Sequence, residues 1–188
     1  SRTIFDMTKS GARLAWEYYF PDDPVPQVIL HIEDRDLWKF KLPRTSDVFA
    51  AIVSYPYRFD VWDQVMTMDC EDLARDGKAI YRRFFKDVHE LLAVTTRAMN
   101  IGGYIVPVAN LPYTMASDAA GLLSYNQPFA ACYYDSSRNT RVFSLRSSKE
   151  GLDVSEIAKQ YGGGGHQHAA GFEVPFSRIH EFETGELT

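Results

Sequence analysis

Eleven residues toward the C-terminal end constrain this chain more than any others: Tyr161-Gly-Gly-Gly-Gly-His-Gln-His-Ala-Ala-Gly171. Four consecutive glycines carry no Cβ, so the segment can pass closer to another backbone or to a ligand than any other sequence. Their N–H groups can converge on an anion. A glycine run is also the ordinary composition of a flexible loop, and a lone arginine is ordinarily solvated. What favours the first reading is the order of what surrounds the run. Val142-Phe-Ser-Leu-Arg-Ser-Ser148 reads as a strand that delivers Arg146, a helix follows, and the glycines then lead directly into His166. A backbone nest, a guanidinium fork and an imidazole are a set suited to gripping a phosphate.

Composition bounds the rest. With 188 residues, 45% hydrophobic and 24% charged, the chain can bury one good core or two small ones, and no part of it reads as disordered. No apolar run approaches the roughly 20 residues of a membrane span. The opening Ser-Arg-Thr-Ile-Phe-Asp lacks the apolar region of a secretory signal, so a cytoplasmic protein without a membrane partner is expected. Cys70 and Cys132 stand far apart and without paired spacing, which gives neither a disulfide framework nor a cysteine zinc site. A net charge of −5 argues against broad binding to duplex DNA and favours small or short anionic substrates.

The first half reads as helical. Ser10 is a candidate N-cap ahead of Leu14, Ala15, Tyr18 and Tyr19, and Pro21-Asp-Asp-Pro-Val-Pro26 ends that helix. From Gln27 an apolar run delivers His31, Glu33, Asp34 and Asp36, oxygen and nitrogen donors able to hold a divalent metal. Asp34 is the best single candidate, against the alternative that Glu33, Asp34, Arg35 and Asp36 form surface ion pairs. One cluster supplies too few ligands for a two-metal centre. Val48, Phe49, Ile52, Val53 and Tyr55, then Phe59, Val61, Trp62 and Val65, fit core-forming helices. A stripe at Leu73, Ile80, Phe84, Val88, Leu91, Thr95 and Met99 predicts one long helix from Cys70 to about Asn100, stopped by Asn100-Ile-Gly-Gly. No further metal-ligating residue stands at a helical offset from His89, beside that stripe, and it reads as structural.

Beyond Gly103 strands and helices alternate: a strand over 104–109, a helix over 117–124 capped by Ser117, a hairpin of 129–134 with 141–146, a helix over 153–161 and a closing strand from Gly171. The expected architecture is therefore α/β. A mostly helical portion over 1–70 is followed by a linker helix over 71–101 and a smaller domain with a mixed sheet over 102–188. Tyr104, Tyr113 and Tyr125 offer base-stacking surfaces in principle, but tyrosines of this kind are ordinarily core residues.

The sequence Phe-Ser-Leu-Arg-Ser, then Asp-Val-Ser-Glu-Ile-Ala, then Gly-Gly-Gly-Gly-His followed by Ala-Ala-Gly-Phe resembles the C-terminal substrate-binding domain of the DHH phosphoesterase superfamily. That superfamily includes RecJ-like exonucleases, nano-RNases and cyclic-dinucleotide phosphodiesterases. Upstream, Phe-Asp-Met-x-x-Ser-Gly-Ala and Ile-Glu-Asp-Arg-Asp-Leu-Trp resemble the later part of the DHH catalytic domain. The resemblance implies hydrolysis of phosphoester bonds in nucleotides or short oligonucleotides, with Mn2+ or another divalent metal, at a cleft between two domains. It also allows a homodimer. Residue by residue, it implies Asp34 as a late metal ligand, with Asp36 as the alternative in a register shifted by two. Arg146 becomes the phosphate-binding arginine, Gly163, Gly164, Gly165 and His166 the loop holding the substrate's end, and His168 a structural residue.

The departures are as informative. Neither an Asp-His-His motif nor an early Asp-x-Asp motif occurs among the 188 residues. The expectation is that the early part of the catalytic domain is missing and that the fragment alone is inactive, since one carboxylate cannot hold two cations. A non-catalytic module binding a nucleotide or a nucleic-acid end is the alternative.

Overall fold

A computed structural model describes Asp6 and residues 8–182. It divides the chain into two compact units, Ser1–Lys86 and Asp87–Thr188. Among the described residues every regular element of the first unit is a helix: α1 (Gly11–Tyr19), α2 (Gln27–Asp36), α3 (Thr45–Ile52), α4 (Phe59–Val65) and the first part of α5 (Cys70–Thr95). Ser10 caps α1 as its sequence suggests, its side chain accepting the Arg13 N–H at 3.2 Å. The core of the unit gathers Val28, Val48, Ile52, Val65, Leu73 and Ala74. No helix of the described residues is long and apolar enough to cross a membrane.

Helix α5 crosses α3 at Gly77, where a Cβ would lie 1.8 Å from the Asp47 carbonyl oxygen. Only a glycine allows this approach, although a glycine in mid-helix costs about 1 kcal/mol relative to alanine.

The second unit is a six-stranded mixed sheet in the order β1-β2-β3-β4-β6-β5. Its strands are β1 (Thr96–Ile101), β2 (Tyr104–Asn110), β3 (Ala130–Ser136), β4 (Thr140–Arg146), β5 (Gly164–His166) and β6 (Ala169–Pro175). Only β2 and β3 pair in parallel, joined through α6 (Ala116–Leu123); α7 (Val154–Lys159) connects β4 to β5, and a 3-10 helix over Phe176–Phe182 follows β6. The alternation of β4, with Phe143 and Leu145 buried and Val142, Ser144 and Arg146 half-exposed, sends one set of side chains into the core and the other to the opposite face. On the core side Phe143, Phe172, Phe182 and Tyr161 stack with centroids 4.5–5.8 Å apart.

Three local expectations change. The predicted helix to Asn100 stops at Thr95, and residues 96–101 form an edge strand paired with β2. Met99 is buried in that strand, so its place in the helical stripe was coincidental. The β-branched run Val94-Thr95-Thr96 favours the change, and the glycines form a hairpin turn closed by the Asn100 side chain accepting the Gly103 N–H at 3.1 Å. Ser117 does not cap its helix; it lies one residue inside α6, which has no side-chain cap. The closing strand begins at Ala169 rather than Gly171, because part of the glycine run is itself the strand β5.

The crossing at Gly77 makes a direct prediction. Gly77→Ala should lower the urea-unfolding stability of the first unit by about 2 kcal/mol. Gly11→Ala, whose added methyl meets nothing within 4 Å, should leave it unchanged or slightly raised.

Candidate functional site

The glycine run is ordered by three separate demands. After α7, the Gly163 N–H reaches the Ala158 carbonyl at 3.0 Å and the Gly162 N–H reaches Lys159 at 3.1 Å, the Schellman pattern that closes a helix, with Gly162 at φ +80°. Gly163 then crosses β6 so tightly that a Cβ would lie 2.2 Å from the Gly171 carbonyl oxygen and 2.6 Å from the Phe172 Cβ. Gly165, at φ +148°, would place a Cβ 2.5 Å from the Ala169 oxygen. Gly164 differs from its neighbours: its φ is ordinary and a Cβ would meet nothing within 4 Å. The fold thus accounts for three of the four glycines.

Strand register sets what faces what. Arg146 pairs with Ala169, which pairs with His166; Ser144 pairs with Gly171, which pairs with Gly164; Val142 pairs with Glu173. Directly opposed residues share a face, so these three rows lie on the sheet face opposite the aromatic core, about 7 Å apart along the strands. Here Val142, Ser144, Arg146, Gly162–Gly164, Ala169, Gly171 and Glu173 line an open cavity of about 540 Å³. Arg146 is fixed at one end, donating to the Ser117 hydroxyl at 2.6 Å and the Leu145 carbonyl at 2.7 Å. His166 is exposed at the sheet edge in the row of Arg146, outside the residues that line the cavity.

His168 is occupied in holding the β5–β6 turn. The Ser147 hydroxyl donates to the Leu152 carbonyl at 2.7 Å, so His168 Nδ1–H is the donor to Ser147 at 3.0 Å. The Val154 N–H reaches the Gln167 carbonyl at 2.8 Å and pins the same turn. Tyr161, at the head of the run, accepts the Gly102 N–H on its hydroxyl oxygen at 2.7 Å, tying the loop to the β1–β2 turn.

Cys132, on the same face but fully buried, has its thiol pushed up to about 12 by burial, so it is no nucleophile. Ser144 and Glu173 are not singled out by the sequence. The alternation of β4 counted back from Arg146 would have found Ser144; the β4–β6 register needed to find Glu173 is a long-range fact. Tyr104, Tyr113 and Tyr125 are 40%, 71% and 77% exposed, against the expectation that such tyrosines are core residues.

The acidic cluster of the first unit divides across α2. Glu33 anchors α1, accepting the Ser10 N–H at 3.0 Å and Arg13 at 2.9 Å. Asp34, 5% exposed, accepts Thr45 Oγ1 at 2.6 Å, the Lys41 N–H at 2.8 Å and the Leu42 N–H at 3.0 Å. It therefore holds a turn in which Trp38, Phe40 and Arg44 all adopt left-handed conformations. Because the Thr45 proton goes to Asp34, His31 Nδ1–H is the donor to Thr45 at 3.0 Å. Burial holds the His31 imidazole below its ordinary value, against the pull of Asp34 and Glu71.

Asp36 is exposed at the end of α2. Among the described residues no three His, Cys, Asp or Glu side chains come together to hold a metal ion. The described residues thus do not fit the divalent metal that the resemblance implies.

Residues 103–183 match the DHHA1 domain. It is 33% identical to an uncharacterized protein of Acanthamoeba polyphaga mimivirus over 98% of this chain and 47% of that protein, so it spans about half the length of the curated relative it matches. Among solved structures it is similar to a pGpG-specific phosphodiesterase, PggH, of Vibrio cholerae, at 13% identity and a TM-score of 0.49, over 92% of this chain and 70% of that one. It is also similar to CDC45 of Entamoeba histolytica, at 10% identity and a TM-score of 0.48, over 73% and 35%. Those likenesses are loose, and the family match itself extends over residues 103–183.

Asp34 gives a testable pH dependence. Burial opposes its ionisation, but the donors from Thr45, Lys41 and Leu42, with His31 beside them, hold its carboxyl below the ordinary carboxylate value. The stability it contributes is then fully present above the unfolded pKa of about 4, and is lost as pH falls through the lower folded value. Asp34→Asn should destabilise the chain by about 2 kcal/mol at pH 7. The difference between the two proteins, measured by urea unfolding, should shrink below about pH 4.

Proposed function

We propose that this chain is the substrate-holding part of a divalent-metal-dependent phosphoesterase acting on nucleotides or short oligonucleotides, and that its DHHA1 domain grips the phosphate-bearing end. The observation that carries this reading is the cavity in which Arg146 and the backbone of Gly162–Gly164 meet on one sheet face. A guanidinium fixed by Ser117 and Leu145 is pre-organised to receive phosphate oxygens, so less rotamer entropy is lost when they arrive. The glycine backbone admits a ligand close to its amides, and His166 adds a ring N–H donor in the same row as Arg146.

A divalent metal of the manganese type, where bound, would supply an activated water and charge stabilisation. No group among the described residues fits it, and the steps assigned to this chain are therefore binding and orientation. That same lack of a ligand cluster favours, as the second reading, a non-catalytic module for a nucleotide or a nucleic-acid end.

Gly164 separates the ligand's demand from the fold's. Gly164→Ala should leave the melting temperature unchanged while weakening mononucleotide binding about tenfold, read by isothermal calorimetry. Arg146→Ala should weaken it by a similar factor or more. If neither change alters binding of any phosphate ligand, the cradle assignment is wrong. The purified chain with manganese should show no appreciable hydrolysis of a short oligonucleotide, and robust turnover would place the metal centre within these residues after all.

A further inference from the structure

The cavity is polar at both ends and nearly bare between them. The Arg146 row lies at one end; two rows on, about 13 Å along β4 by strand geometry, Glu173 lines the other beside Val142. The row between is Ser144, Gly171 and Gly164, so its floor carries one hydroxymethyl and two glycines. Gly171 is required there by the sheet as well, since a Cβ would come 2.8 Å from the Phe143 carbonyl oxygen. A flat group can therefore lie on the backbone of the middle row with a phosphate at one end and a carboxylate at the other.

Glu173 is held for such a task. Its Oε1 accepts the Thr140 hydroxyl and its Oε2 accepts Arg138 at 2.9 Å. A carboxylate has about four acceptor sites, so the two named bonds orient it and leave one further site on each oxygen. Two adjacent acceptors so oriented match two adjacent N–H donors. Among the common bases only guanine presents such a pair, at N1 and the exocyclic N2. Adenine and cytosine set a ring nitrogen acceptor beside their amine, and uracil flanks its single N–H with carbonyl oxygens; each would place a lone pair against the carboxylate. The span also fits a base edge better than a ribose, whose hydroxyls lie too near a 5′-phosphate to bridge three rows.

We infer that Glu173 is a specificity-determining residue that reads the donor edge of guanine in a nucleotide whose phosphate lies at Arg146. This rests on the phosphate-binding reading above and extends it from a class of anion to a particular base.

Calorimetric titration of the 188-residue chain with GMP, IMP, AMP and UMP tests it, with inorganic phosphate as a competitor. GMP should bind about tenfold or more tightly than AMP and UMP, with IMP, which lacks the N2 amine, between them. Glu173→Gln should compress the GMP-to-AMP ratio to below about threefold, weakening GMP and relieving the repulsion against AMP, while phosphate competition is retained. Equal binding of all four nucleotides, each competed by phosphate, would overturn the role of Glu173 and leave the phosphate site standing. Binding of none would overturn both. A preference for GMP that survives in Glu173→Gln with an unchanged melting temperature would also overturn it.

Discussion

The contact on which the second unit depends is the passage of Gly163 over β6. Its Cα approaches the Gly171 carbonyl and the Phe172 side chain closely enough that no residue with a Cβ can stand there. That approach lets Tyr161 stack on Phe172 at 4.5 Å and Phe172 on Phe143 at 4.7 Å, which locks the loop onto the aromatic core. It also aligns β5 beside β6, and that alignment carries Gly164 and His166 to the face on which Arg146 stands. The binding face is thus a by-product of packing on the opposite face of the same sheet.

The first unit uses its polar residues differently. Glu33 and Asp34 are adjacent in sequence but point to different partners, one anchoring α1 and the other a turn built around three left-handed residues. A buried carboxylate with three hydrogen-bond donors is stable as an anion without any metal, and this is the structural work that Asp34 does. Removing one of its partners should cost more than an exposed ion pair would, because the remaining groups stay buried.

What could be read from sequence follows the range of the interactions involved. Ser10 caps its helix as its position suggests, because capping involves the next two or three residues; Asp153, placed inside a helix by the sequence, likewise proves to be a cap. The strand ending at Arg146 is legible because its alternation is local. The end of α5 was misread because Thr95 and Met99 satisfy a helical stripe and a strand pattern equally, and the hairpin that decides between them lies beyond. Ser117 offered a cap-like residue at a helix start, yet its hydroxyl serves Arg146, 29 residues away. The place of Glu173 opposite Val142 and the hold of Thr45 on Asp34 are likewise facts of tertiary register, which no window of neighbouring residues contains.

The central claim is that the glycine run and Arg146 form one ligand-binding face. An NMR titration of the isotope-labelled chain with a mononucleotide tests it most directly. The claim predicts that the amide signals of Gly162–Gly164, Ser144–Arg146 and Ala169–Gly171 shift together with one dissociation constant, while those of α3 and α4 stay in place. Shifts confined to other parts of the chain, or none at saturating nucleotide, would contradict it.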